Sequence, residues 1–220
     1  MPDSKPNLVT LSHPRSPAAE AYRTLRANLT LSTLDHPLHT LVVTSVAPSE
    51  DQSIALANLA VTMAQGGQRV ILVDADLRHP SLHNLFGVSN ERGLATLLDE
   101  QDPLTAPPLV PVAGVEHLQL LPGGPPPLDP AAQLGSPRMD KIIAALKQRA
   151  DAVLFDAPPV LAATDATVLG MKVDGVLLVA QAGHTSREHL RQAKERLEKT
   201  RVRVVGVTLT NAAPDKSLGY

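Results

Sequence analysis

Cysteine and tryptophan are both absent, and Phe86 and Phe155 are the only phenylalanines. Without cysteine there is no disulfide framework and no thiolate metal site, which fits a reducing compartment. With so few aromatics, the core must be built mainly from Val, Leu, Ile and Ala. No apolar run reaches bilayer-spanning length, and Met1-Pro2-Asp3-Ser4-Lys5-Pro6 lacks the apolar centre of a secretion signal. A soluble cytoplasmic protein is the expectation. An excess of charge is missing too: 20 basic and 22 acidic side chains are mixed along the chain. Electrostatics therefore give no case for nucleic acid or an anionic membrane as an obligatory partner.

Proline is abundant, with 20 residues concentrated in connecting segments. Residues 1–17 read as a flexible N-terminal arm, residues 18–211 as a single domain, and residues 212–220 as a C-terminal tail. Ser16-Pro17 opens a helix to about Ser32. Strands are expected at Thr40 to Ser45, Arg69 to Val73, Val115 to Leu121, Val153 to Asp156, Gly175 to Ala180 and Val202 to Leu209. Helices are expected from Ser53 to Gln65, Arg138 to Ala150 and Ser186 to Lys199, with short ones near 82–87 and 94–98. Gly66-Gly67 is a left-handed stop. The run Pro122 to Pro130 is expected to be an irregular surface loop. Continuous apolar strands alternating with helices predict a three-layer α/β/α fold around a mostly parallel sheet.

Two of the strands end in acids: Ile71-Leu72-Val73-Asp74-Ala75-Asp76 and Val153-Leu154-Phe155-Asp156-Ala157-Pro158-Pro159. Ligands of open parallel sheets sit beyond the carboxyl ends of the strands, so these acids converge with the loop after Ser45. Carboxylates there suit Mg²⁺ and the positioning of a nucleophile. Acids also cap turns with no further role, but two matching strand ends beside a strand–loop–helix favour a nucleotide-type architecture. A loop that cradles phosphate needs glycines for close backbone approach and a lysine for charge. Here Ser49 and Asp51 stand where glycine would help and Gln52 stands in the lysine position. Arg78, just past the second strand, is the nearest candidate to compensate.

Glu20, Arg23 and Arg26 share one side of the first long helix, as an ordinary solvated face or as an interface with another subunit. His79 and His83 have a spacing compatible with a metal, but Pro80 intervenes and no third ligand follows. Tyr220 is the last residue, in a tail without an apolar anchor.

Taken together, residues 16–211 resemble the cytoplasmic domain of the bacterial tyrosine kinases, the capsule and exopolysaccharide autokinases. These fall within the deviant-Walker ATPases that include the septum-site and chromosome-partitioning proteins. The resemblance rests on Glu20-x-x-Arg23-x-x-Arg26, on the two acidic motifs, and on Leu121-Pro122-Gly123-Gly124 followed by Asp129-Pro130. It implies a P-loop NTPase-like fold with ATP and Mg²⁺ as cofactors. Nucleotide would lie on Pro48, Ser49, Glu50, Asp51, Gln52, Ser53 and Ile54, with Arg78 and Asn211. Asp74 and Asp76 would serve catalysis, and Ser53, Asp76 and Asp156 the metal. Glu20, Arg23 and Arg26 would mediate ring oligomerisation.

The family's loop reads Ser-x-x-Pro-Gly-Glu-Gly-Lys-Ser-Thr. Ser45, Pro48, Glu50 and Ser53 match it, whereas Ser49, Asp51, Gln52 and Ile54 depart. The expectation is therefore a degenerate, pseudokinase-like regulator of exopolysaccharide or capsule biosynthesis or export, with lost or weak ATP binding. Its partners would be a membrane-bound polysaccharide chain-length regulator (co-polymerase) and copies of itself or an active homologue. That partner would hold it at the inner face of the membrane. The alternatives are an active autokinase, with Tyr220 as phosphoacceptor, and a relative of the partitioning ATPases.

Overall fold

The computed structural model describes residues 8–32, 35–48, 51–100 and 107–213. In chain order these form α1 (Val9–Ser12), α2 (Pro17–Ser32), β1 (Thr40–Ser45), α3 (Gln52–Gln65), β2 (Val70–Asp74), α4 (Leu82–Phe86), α5 (Leu94–Asp99) and β3 (Val110–Pro111). There follow β4 (Leu118–Leu121), α6 (Pro130–Gly135), α7 (Pro137–Lys147), β5 (Ala152–Ala157), α8 (Asp165–Gly170), β6 (Gly175–Gln181), α9 (Arg187–Lys199) and β7 (Val204–Thr210). Ser136 and Ser186 cap α7 and α9, each accepting from a backbone N–H of the first turn.

The strands form one sheet in the order β3-β4-β2-β5-β1-β6-β7. All pairings are parallel except β3 with β4. Every residue of β1, β2 and β5 is buried, because helices cover both faces. Alternate side chains feed two cores. Leu41, Val43 and Leu72 meet Leu56 and Leu59 of α3 on one face. Val42, Ile71, Val73 and Phe155 meet Leu97, Ile142, Leu169 and Leu197 on the other. This is the three-layer α/β/α arrangement. Among the described residues no helix is long and apolar enough to cross a membrane.

Several local expectations need correction. The arm of 1–17 is not free from residue 8 onward: Leu8 is fully buried. The Thr10 amide and hydroxyl both donate to Asn58 Oδ1 on α3, at 3.1 and 2.8 Å. A buried apolar anchor and a satisfied buried amide hold this segment against α3. Residues 1–7 and the tail from 214 lie outside the described residues. The first half of the proline-rich loop is irregular but buried rather than on the surface, because the N-terminus of α5 docks on it. Pro122 O and Gly123 O accept from Leu94 N and Ala95 N, both at 2.8 Å. Asn90 brackets Gly124 with bonds to its carbonyl and amide, at 3.0 and 2.8 Å. Helices α1, α6 and α8 and strand β3 were not expected; each is too short to carry a periodic signal.

Gly93 closes the dock between α5 and this loop, and an added Cβ would collide with Pro122 O and Gly124 N. Both obstacles are backbone, so Gly93→Ala must displace one segment. It should lower unfolding free energy by about 3 kcal/mol. Gly135→Ala, whose Cβ would meet only a side-chain methyl of Val168 at 3.3 Å, should cost far less. Urea denaturation of the two variants checks the contrast.

Candidate active site

Pairing of β2 with β5 places Asp74 directly beside Asp156, while β1 lies on the other side of β5 with Val43 opposite Asp156. The loop leaving β1 therefore stands over two adjacent acid-bearing strand ends. Asp74 is fully buried, and its Oδ2 accepts from Ser81 N and Leu82 N, both at 2.9 Å. Its Oδ1 has no hydrogen-bond partner among the described residues. Asp156 is also fully buried, and neither of its carboxylate oxygens has one. Asp76 Oδ1 accepts from Arg78 N and His79 N at 3.2 and 3.0 Å, which folds the chain after β2 into a turn over the sheet edge.

Burial dominates the acidity of this group. It pushes the Asp74 carboxyl up to about 7, against the two backbone N–H groups, and nearby Asp76 adds to the rise. Asp76 is likewise raised by burial. Asp156 is raised well above the carboxylate range by burial and then by Asp74, with the nearby Ser53 hydroxyl opposing without completing a hydrogen bond. Ser53 Oγ instead lies 3.4 Å from Ser81 Oγ. Buried carboxylate oxygens with no donor are costly, and they are the oxygen donors a small hard cation uses. Two carboxylates and a hydroxyl fit Mg²⁺, which keeps waters and takes substrate phosphates for its remaining positions. Among the described residues no group of three or more His, Cys, Asp or Glu side chains is arranged to hold a metal, so His79 and His83 form no such site.

The loop itself fits a triphosphate only in part. Asp51 holds the left-handed conformation, with φ 48° and ψ 26°, at the N-terminus of α3. Glycine meets that demand without strain, and Asp is among the few other residues that visit it. Asp51 thus takes a glycine-like backbone conformation while its side chain adds a negative charge. Asp51 places no cap on α3, so the first amides of that 14-residue helix are not claimed by its side chain. Ser49 and Glu50 lie outside the described residues; Pro48 precedes them, and Ile54, in the first turn of α3, is exposed.

Gln52 brings no charge, and Arg78 is not a free replacement. Its Nε and Nη2 donate to the two oxygens of buried Asp165 at 2.7 and 2.9 Å, a bidentate pair across the site. Sequence reasoning missed Asp165 and Ser81, since nothing in the local pattern marks either.

Asn211 also adopts a positive φ, 54°, and its Nδ2 lies 3.4 Å from Asp51 Oδ2. The two border a cleft of about 620 Å³ that also includes Tyr22, Ile54 and Leu209. Tyr22 is raised by burial and by the Asp51 charge. On the α2 motif, Arg23 pairs with Glu20 at 2.7 Å. Arg26 is anchored on α3: its Nη1 donates to Thr62 O at 2.6 Å, near the end of that helix. Tyr220 lies outside the described residues.

A family model for ParA, described as NUBPL iron-transfer P-loop NTPase, matches residues 39–212. Tyrosine-protein kinase YwqD of Bacillus subtilis (strain 168) is 35% identical over 214 residues, spanning 97% of this chain and 90% of its own length. The putative tyrosine-protein kinase CapB of Staphylococcus aureus is 31% identical over 207 residues, spanning 94% of this chain and 90% of its own. Among solved structures, the kinase domain of the Escherichia coli tyrosine kinase ETK superposes with a TM-score of 0.86 at 31% identity. That match covers 96% of this chain and 84% of the other.

The raised acids set a pH dependence. Asp74 titrates near 7 when folded but near its ordinary 3.8 when unfolded. Between those values the native chain binds more protons, so stability rises as pH falls through that window. In EDTA, denaturant unfolding should show greater stability at pH 5.5 than at pH 8, and Asp74→Asn should remove about 1–2 kcal/mol of that difference. An unchanged difference in the variant would mean that Asp74 is ionised without penalty.

Proposed function

The chain belongs to the family of bacterial tyrosine-protein kinase cytoplasmic domains, within the ParA-like P-loop NTPases, and from that membership we propose that it serves surface-polysaccharide assembly as a tyrosine-kinase-type protein. The relatives just compared carry tyrosine-kinase names, which favours the ATP-dependent autokinase over the degenerate reading expected from the loop. The observation that carries it is the acid group at the ends of β2 and β5, whose buried oxygens lack partners.

In this reading Asp156, Asp76 and Ser53 would hold Mg²⁺, which would supply positive charge against that of the nucleotide phosphates. Asp74, paired in register with Asp156 at the strand ends, takes the proton of the acceptor hydroxyl. The amides at the start of α3 face the phosphates, Asn211 lies toward the base, and Tyr220 of a neighbouring copy is the acceptor. A membrane-bound chain-length regulator is the partner, keeping the protein at the cytoplasmic face. Arg23 of the α2 motif contributes to assembly with copies of the chain or with an active homologue.

A second reading has specific support. Gln52 leaves the phosphates without a lysine, Asp51 adds negative charge, and Arg78 is already paired with Asp165. In that reading the protein regulates the assembly without turning over ATP.

Titration calorimetry with ATP and Mg²⁺ at low ionic strength separates the two. Mg²⁺-dependent binding, followed by phosphate incorporation into tyrosine, is expected of the autokinase. If the chain binds nothing while Ser49→Gly, Asp51→Gly and Gln52→Lys together create binding, the autokinase reading falls and the regulatory one stands.

Assembly is tested separately. Arg23→Glu should lower the mass seen by light scattering with little change in the unfolding midpoint, since its two partners, Glu20 and the Pro14 carbonyl, are both exposed. The same mass in the variant would remove α2 from the interface.

A further inference from the structure

The two edges of the sheet are finished differently. At one, β3 is two residues long and includes Pro111, so it presents almost no free ladder. At the other, β7 runs for seven residues with neither a proline nor a charged side chain. Edge strands are usually blunted by charge, proline or cover, because their unpaired N–H and C=O groups template another strand. Here Val207 and Leu209 are instead 48% and 56% exposed.

The ladder fixes where the free groups point. Val46, just past β1, donates from its N to Val179 O, so Val179 of β6 is turned toward β1. Ala182 N, in contrast, donates to Thr210 O of β7. Alternation along β6 therefore turns Leu178 and Ala180 toward β7, where they stand in register with Val207 and Leu209. In a parallel ladder a residue facing its neighbour bonds to the residues on either side of its register partner, never to the partner itself. Gly206, Thr208 and Thr210 thus carry the bonds to β6, and Val207 and Leu209 direct N–H and C=O away from the sheet. The register shift between Val176 and Leu177 falls at the start of β7 and leaves this stretch regular.

We propose that β7 pairs antiparallel with β7 of a second copy about a two-fold axis, joining the two sheets into one. Val207 then lies opposite Leu209 of the second copy, and Leu209 opposite its Val207, each pair exchanging both main-chain bonds. The exposed side chains of the same residues make the cross-strand contacts. The two-fold also brings Arg203 of the second copy, just before its β7, toward the Asn211 end of this one. Asp51 lies there, with its Oδ2 3.4 Å from Asn211 Nδ2. Arg203 is exposed, and its Nη1 donates to His36 O at 3.2 Å, which leaves other donors of the fork to meet that carboxylate. This complementarity of charge recurs at both ends of the paired strands, which selects a second copy over an unrelated strand. It also offsets the negative charge that Asp51 adds to the loop. The pairing needs neither nucleotide nor α2.

Hydrogen exchange of the whole chain, followed amide by amide at rising protein concentration, tests this. The Thr208 and Thr210 amides should be protected throughout. Those of Val207 and Leu209 should exchange freely when dilute and gain at least about tenfold protection as the mass seen by light scattering rises. Val207→Lys, at an exposed edge position, should weaken association at least about tenfold and abolish that gain. Arg203→Glu, which sets a carboxylate against Asp51, serves as the independent variant and should weaken it too. Adding Asp51→Asn, which tolerates the left-handed conformation, should restore part of that loss. A chain that stays monomeric, Val207 and Leu209 amides whose exchange ignores concentration, or association unaltered in both Val207→Lys and Arg203→Glu would overturn the pairing. The protection at Val207 and Leu209 should persist in Arg23→Glu, so failure of assembly through α2 leaves these outcomes readable.

Discussion

Burial of Asp74 and Asp156 side by side at the ends of two paired strands is the constraint around which the site is arranged. A sheet covered on both faces leaves its carboxyl edge as the place where polar chemistry can be presented. Placing two carboxylates there without a cation pushes both toward their neutral forms. The chain answers only part of this cost. Backbone N–H groups of Ser81 and Leu82 satisfy one oxygen of Asp74, and the turn at Arg78 and His79 satisfies one of Asp76. Asp156 receives no such help. A divalent cation is the natural complement, and the fold holds its donors in place at the expense of stability at neutral pH.

The cations that a nucleotide would need are distributed differently from the acids. At Asp51 the loop adopts the left-handed turn that glycine would otherwise supply. It does not supply the lysine's charge. Arg78, the basic residue nearest the acids in sequence, is drawn into a bidentate pair with Asp165 instead. That pair ties the turn after β2 to the start of α8, two segments that border the site from different strands. Its structural value lies in orientation more than in net attraction, because burying the Asp165 carboxylate costs much of the Coulomb energy while Arg78 stays exposed. Tyr22, Asp51 and Asn211 line one cleft, and Arg78, His79 and Arg196 line another.

Much of the frame was legible from the chain. Apolar runs such as Leu41-Val42-Val43 and Val153-Leu154-Phe155 marked strands, and the acids at the ends of β2 and β5 marked the edge where a site would form. The departures at Ser49, Asp51 and Gln52 were equally plain. Less visible was the anchoring of residues 8–12: a single buried Leu8 and one Thr10–Asn58 contact look like an ordinary polar arm when read in sequence. The buried start of the proline-rich loop escaped notice for a similar reason. Its carbonyls are satisfied by the N-terminus of α5, which no composition rule anticipates. Arg26 read as part of a solvated face or of an interface, and its further bond to a carbonyl of α3 in its own chain left no local trace.

What the sequence by itself determined is local: the long helices and buried strands, the acids that end them, and the absence of a lysine in the loop. These depend on periodicity and residue chemistry within a dozen positions. Only the tertiary structure decided that β5 lies between β1 and β2, that Asp74 faces Asp156, and that Arg78 is taken by a carboxylate 87 positions away. Strand order and charge pairing are settled by which distant surfaces bury one another and which charges then share a poorly solvated space. Neither leaves a periodic trace in the chain.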